Sequence, residues 1–126
     1  MSHTDTVKKA YEMFHAGDVA GMKDLFADDA VWHSSDEVPL GGALHGSDAI
    51  IDMMTRIPEY WTSVILEPNT YLEAGERVVA LGTQRFTNAQ GTAETPFAQV
   101  LEFDGSGKVV RSDLFGDTAK IARLQT

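Results

Sequence analysis

At Pro58 the hydrophobic pattern of the chain changes its period, and this change limits the fold more than any other feature. Before it, apolar residues recur at helical spacing. Val7, Ala10, Tyr11 and Phe14 fall at i, i+3, i+4 and i+7, the stripe of an amphipathic helix over 4–16. Thr4 or Asp5 is placed to cap it, and Gly17 follows where a helix end favours glycine. Asp18 is placed to cap a second short helix over 19–26, with Val19, Met22, Leu25 and Phe26 inward. Ser47 does the same for a third, DAIIDMMTRI, which Pro58 ends. Between the second and third helices, 27–29 reads as a turn, 30–33 as a short strand and glycine-rich 34–46 as a loop.

After Pro58 the period is 2. Segments 60–71, 77–87, 92–103 and 108–115 read as strands, joined by EAGE, NAQG and DGSG, each with the glycine that hairpin turns use. DTAKIARL then reads as a C-terminal helix. Helices followed by a strand meander predict an α+β domain over 1–126, with helices packed on one face of an antiparallel sheet.

Composition narrows the partners. The absence of cysteine excludes disulfides and thiolate chemistry. The net charge of −9, with no basic stripe to offset it, argues against nucleic acid and against an anionic membrane surface. No apolar run reaches membrane-span length, and MSHTDTVKKAY lacks an apolar signal region, so a cytoplasmic protein is expected. His33, Asp36, Glu37 and His45 share one loop without a helical ligand pair, so no metal is expected.

One stretch is ambiguous and matters for function. In VVRSDLFGD, strict alternation puts Val109, Arg111, Asp113 and Phe115 on one side and Val110, Ser112 and Leu114 on the other. If the first side looks inward, an arginine and an aspartate enter the core, which is costly unless they are paired or used. If the second does, Asp113 is an ordinary solvated residue.

The segments HAGDVAGMKDLFADDAVWH, LHGSDAII and VLEFDGSGKVVRSDLFGD resemble the NTF2-like superfamily, in particular its SnoaL-like and ketosteroid-isomerase-related branch, over about 7–124. The resemblance implies a cystatin-like cone: a curved antiparallel sheet wrapped around three N-terminal helices, with a pocket at the wide end and dimers paired through the outer sheet face. It also implies that Arg111, Asp113 and Phe115 face the pocket, with Thr83 and Arg85 on one neighbouring strand and Phe97, Gln99, Leu101 and Phe103 on another. Trp32, His33, Ala10, Phe14, Ile50 and Met54 complete the implied lining. The isomerase's aspartate base, tyrosine and second aspartate fall here at Ser34, Ala10 and Gln99, so its catalytic groups are missing. Tyr11 lies one residue from the tyrosine position, about 100° round the helix, and is a poor substitute.

These readings lead to two expectations. One is a cofactor-free enzyme, an isomerase, polyketide-type cyclase or hydrolase, acting on a small hydrophobic metabolite. Asp113 would be its acid or base, its pKa raised by an apolar pocket. His33 would assist or position a water, and Arg85 with Gln99 would stabilise an oxyanion. Trp32, Phe14, Met54, Phe97, Arg111 and Phe115 would contact substrate. The other is a non-catalytic module of the same fold, holding a small molecule or, as a homodimer, serving as an interaction surface.

Overall fold

The computed structural model describes residues 2–125. Helix α1 (His3–Ala16) is entered through a capping box. The Ser2 hydroxyl accepts from the Asp5 N–H while the Asp5 carboxylate accepts from the Ser2 N–H, so Ser2, not Thr4 or Asp5, is the cap. The helix closes at Gly17, whose φ of 72° favours glycine and turns its N–H back to the Met13 and Phe14 carbonyls. Asp18 caps α2 (Val19–Lys23) by accepting from the Gly21 N–H. That helix stops short of Leu25 and Phe26, because Phe26 already opens strand β1 (Phe26–Ser34). Helix α3 (Ser47–Arg56) has Gly46 at its cap position with φ 95°, so Ser47 is the first helical residue rather than the cap. Pro58 sits in the tight turn Ile57–Glu59 that ends the helical half.

The remaining strands are β2 (Gly42–His45), β3 (Ser63–Ala74), β4 (Arg77–Asn88), β5 (Gly91–Phe103) and β6 (Val109–Gly116). They form one six-stranded sheet in the order β2-β1-β6-β5-β4-β3. The predicted meander β3 to β6 is present and antiparallel. The sheet is mixed, however, because β6 ends beside β1 and runs parallel to it. Two local readings are corrected. Residues 27–29 are an irregularity inside β1, where pairing to β6 jumps from Phe26 to Val31 and leaves Asp28 and Asp29 exposed. Residues 42–45, read as loop, form an edge strand paired to β1.

The helices cover one face of the sheet, α1 against β3 and β4 and α3 against β1 and β2. Val7, Ile50, Trp32, Phe97 and Leu101 join a single buried cluster there. Burying each such side chain contributes about 1.5–3 kcal/mol. Pairing irregularities fall in β3 between Pro68 and Thr70, and at the start of β6. Such irregularities bend a strand and sharpen its twist, as a cone requires. At Gly82, opposite Pro68, a Cβ would lie 2.0 Å from the Glu67 carbonyl oxygen, so no other residue fits without moving β3. Helix α4 (Thr118–Ala122) closes the chain over β5, with Ile121 buried. Among the described residues no helix is long and apolar enough to cross a membrane.

Candidate functional site

The helices and the concave face of the sheet enclose a cavity of about 120 Å³. An apolar cavity of about 150 Å³ accepts a benzene, so this one suits a single ring. Each element contributes through its period. Helix α1 supplies Val7, Ala10, Tyr11 and Phe14, and α3 supplies Met53 and Met54. Strand β1 supplies Trp32 and Ser34, β4 supplies Gln84 and Phe86, and β5 supplies Gln99 and Leu101. The loop 35–41 and α4 form the rim, where Val38, Pro39 and Leu40 face Thr118 and Ile121. The Thr118 hydroxyl donates to Glu37 Oε1 at 2.5 Å and ties the two sides together. Leu40 holds φ 67°, a strained value for a branched residue. A Cβ on the neighbouring Gly41 would meet the Ser35 carbonyl oxygen at 1.9 Å.

Two hydrogen-bonded chains carry the polarity of the wall. The Tyr11 hydroxyl donates to Gln99 Oε1 at 2.6 Å, and Gln99 Nε2 donates to Ser112 Oγ at 2.9 Å. Burial pushes the Tyr11 phenol well above its ordinary pKa, with the nearby Tyr71 adding to the shift, so the group is neutral at physiological pH. On the adjoining strand, Gln84 Nε2 donates to Thr95 Oγ1 at 3.0 Å, and Thr95 Oγ1 donates to the Pro96 carbonyl at 3.0 Å. Gln84 Oε1 is buried and has no partner. Gly116 leaves room for this amide, since a Cβ there would come within 2.2 Å of Gln84 Nε2.

The ionisable residues expected in the pocket lie elsewhere. Asp113 sits on the outer face of β6, gripped by Arg111 through two hydrogen bonds of 2.8 and 3.0 Å. His33 lies beside it on β1, its Nδ1 3.8 Å from Asp113 Oδ1. The cause is a bulge. Phe103 pairs with Val109 but Glu102 with Arg111, so Val110 is an extra residue in β6. Val109 therefore faces in, and so do Ser112 and Leu114, while Arg111 and Asp113 turn out. His33 faces away because it follows Trp32, which is inward. Arg85 also points outward, where it bonds Glu67 at 2.9 Å and its cross-strand partner Glu94 at 3.1 Å. Its neighbours Gln84 and Phe86, not Thr83 and Arg85, are the inward residues of β4.

Of the apolar contacts, Trp32, Phe14 and Met54 line the cavity, as does Ala10. Gln99 does too. Phe115 stands at the mouth, 52% exposed. Phe97 and Ile50 lie in the core outside the cavity wall, Phe97 edge-on to Tyr11 at 6.4 Å between ring centres. Tyr11, set aside on angular grounds, reaches the cavity alongside Ala10, because α1 turns the edge of its stripe toward the sheet. Gln84 was legible in principle. Counting back from the two-residue turn 89–90 pairs it with Thr95, on the same face as Phe97 and Gln99. Among the described residues no group of three His, Asp or Glu side chains is placed to hold a metal ion.

Comparison with known proteins agrees with this architecture. The sequence profile of the SnoaL-like domain family matches residues 7–112. No curated protein sequence matches significantly. Among solved structures, an NTF2-like protein of unknown function from Burkholderia pseudomallei is 36% identical, with a TM-score of 0.91 over 100% of this chain and 99% of that one. TerC, crystallised with polyporic acid, is 24% identical with a TM-score of 0.87 over 98% of each chain. A candidate SnoaL-like polyketide cyclase from Shewanella denitrificans is 13% identical with a TM-score of 0.80, over 98% of this chain and 96% of that one. The last two likenesses bear on the fold alone.

Proposed function

Because the chain belongs to the SnoaL-like family of the NTF2-like superfamily, we propose that its cavity binds one small, uncharged, largely apolar molecule and orients it with neutral hydrogen-bonding groups. One observation carries this reading: among the described residues, no Asp, Glu, His, Lys or Arg side chain lines the cavity. The polar groups among the lining residues are two amides, a phenol, hydroxyls and the indole N–H groups of Trp32 and Trp61, a neutral set that fixes orientation in an otherwise apolar site. The exposed Asp36, Glu37 and Asp117, close in sequence to the lining residues Val38 and Thr118, and the net charge of −9 disfavour anionic guests.

Filling the cavity tests this. Neutral single-ring probes should shift the methyl NMR signals of Met53 and Met54 and the indole signals of Trp32 and Trp61, all at the wall. Ala10→Leu should abolish those shifts while leaving the fold intact. Shifts that survive the filling, or that map to the outer sheet face, would refute the reading.

A cyclase or isomerase activity is a second reading, favoured by Tyr11. Held protonated by burial, it can stabilise an oxyanion if the Gln99 amide turns and hands it a donor in return. On this reading Tyr11→Phe abolishes turnover but retains binding. A homodimer through the outer sheet face belongs to the same proposal, since Leu72 and Leu81 are exposed there. Sedimentation of the wild type against Leu81→Lys tests it.

A further inference from the structure

The two glutamines in the cavity wall differ in one respect that selects the guest. The Tyr11–Gln99–Ser112 chain begins and ends on hydroxyls, so it can run in either direction: turning the Gln99 amide reverses every bond without losing one. The Gln84 chain cannot reverse. It ends on the Pro96 carbonyl, which only accepts. The single Thr95 hydroxyl proton is committed to that carbonyl, so Thr95 Oγ1 must accept from Gln84, and the nitrogen of the Gln84 amide is thereby identified. The oxygen is left over. It belongs to a side chain only 2% exposed, in the cavity wall, with no partner.

A buried carbonyl oxygen without a donor is costly to keep, and native proteins leave few of them. We propose that the guest supplies the missing donor: a hydroxyl or N–H on a ring-sized apolar body, delivered to Gln84 Oε1 in the stretch of cavity wall that Gln84 shares with Gly116. The terminal torsion of a glutamine is soft, so the amide plane can meet a guest while Nε2 keeps Thr95. The inference rests on reading the cavity as a ligand site, and it adds the polarity of the ligand. Carbonyl, ether and carboxylate groups offer no proton and do not fit this position.

Three probes of one shape decide the matter: p-cresol, toluene and 4-methylanisole, titrated against the intact protein and followed by the methionine methyl signals. In a purely apolar cavity toluene would win, because the hydroxyl of p-cresol would lose its water. With a waiting acceptor the order inverts. We expect p-cresol to bind about tenfold more tightly than toluene, the scale of satisfying one buried acceptor, and 4-methylanisole to bind more weakly than p-cresol. Gln84→Met, similar in volume and without the amide, should restore the advantage of toluene. Thr95→Val gives a second handle that leaves Gln84 in place. It frees the amide to present its N–H, so the gap between p-cresol and 4-methylanisole should narrow.

Toluene binding as tightly as p-cresol in the wild type would overturn the donor assignment while leaving the cavity reading intact. A p-cresol preference that persists in Gln84→Met, or an unchanged gap in Thr95→Val, would also overturn it. If no probe moves the cavity signals, the cavity reading itself fails.

Discussion

The two faces of the sheet handle polarity in opposite ways. On the inner face, Gln84, Gln99, Ser112 and Thr95 are all buried and neutral, joined by single hydrogen bonds. On the outer face, Arg85 bridges Glu67 and Glu94, and Arg111 grips Asp113. The same strands carry both sets, one residue apart. The contrast teaches where each kind of bond matters. A buried neutral bond is expensive to break because the orphan stays away from water, whereas an exposed ion pair is replaced by solvent at little cost.

The largest test is at Gly82, an inner-face position where the β3 backbone occupies the space of a side chain. Gly82→Ala should destabilise by about 3 kcal/mol through overpacking, read as a lower urea midpoint. A neutral result would mean that β3 is not seated as described. Next is Tyr11→Phe, which deprives Gln99 Oε1 of its donor and should cost about 1–3 kcal/mol.

That variant also changes the response to alkali. The Tyr11 pKa is raised in the folded protein by burial and then by Tyr71, so its contribution is complete below the unfolded value of 10.0 and is lost as pH climbs toward the folded value. Wild-type stability should therefore fall more steeply than that of Tyr11→Phe above pH 10. Parallel slopes would show that Tyr11 is not buried as a phenol. The smallest effect is expected at Glu94→Gln, on the outer face, whose carboxylate is 58% exposed. Its urea midpoint should stay within the range of ordinary surface substitutions, and binding of cavity probes should be unchanged. A large loss of either would erase the distinction between the faces.

Much of this was readable in the residues. Period and punctuation gave α1 from the Val7–Phe14 stripe and the meander from its glycine turns. The family resemblance orients β5 correctly, since Phe97, Gln99, Leu101 and Phe103 are all buried. It does not orient the strands on either side. It implies an inward Arg85, although a two-residue turn makes Arg85 the partner of Glu94, which shares a face with none of Phe97, Gln99 or Leu101. Oriented by that turn, β4 would have revealed Gln84. β6 offered no such check, since the bulge at Val110 depends on how the DGSG hairpin seats against β1 and β5 together. β2 was hidden for another reason. A four-residue edge strand in a glycine-rich stretch has too short a pattern to display a period.

The bulge at Val110 has a consequence for how relatives of this chain can diverge. Removing Val110 would leave Val109 inward, Arg111 outward, Ser112 inward and Asp113 outward, the same assignment that the bulge now produces. Chain length can thus drift at this hairpin while the lining stays constant. A length-neutral slip by one residue would instead carry Arg111 and Asp113 into an apolar chamber, an outcome that their charge forbids. The ion pair on the outside therefore works as a ratchet, tolerant of insertion and deletion but closed to sliding. Distance from the turn is then an unsafe guide to which β6 side chains reach the chamber, and the parity of the strand is the safer one.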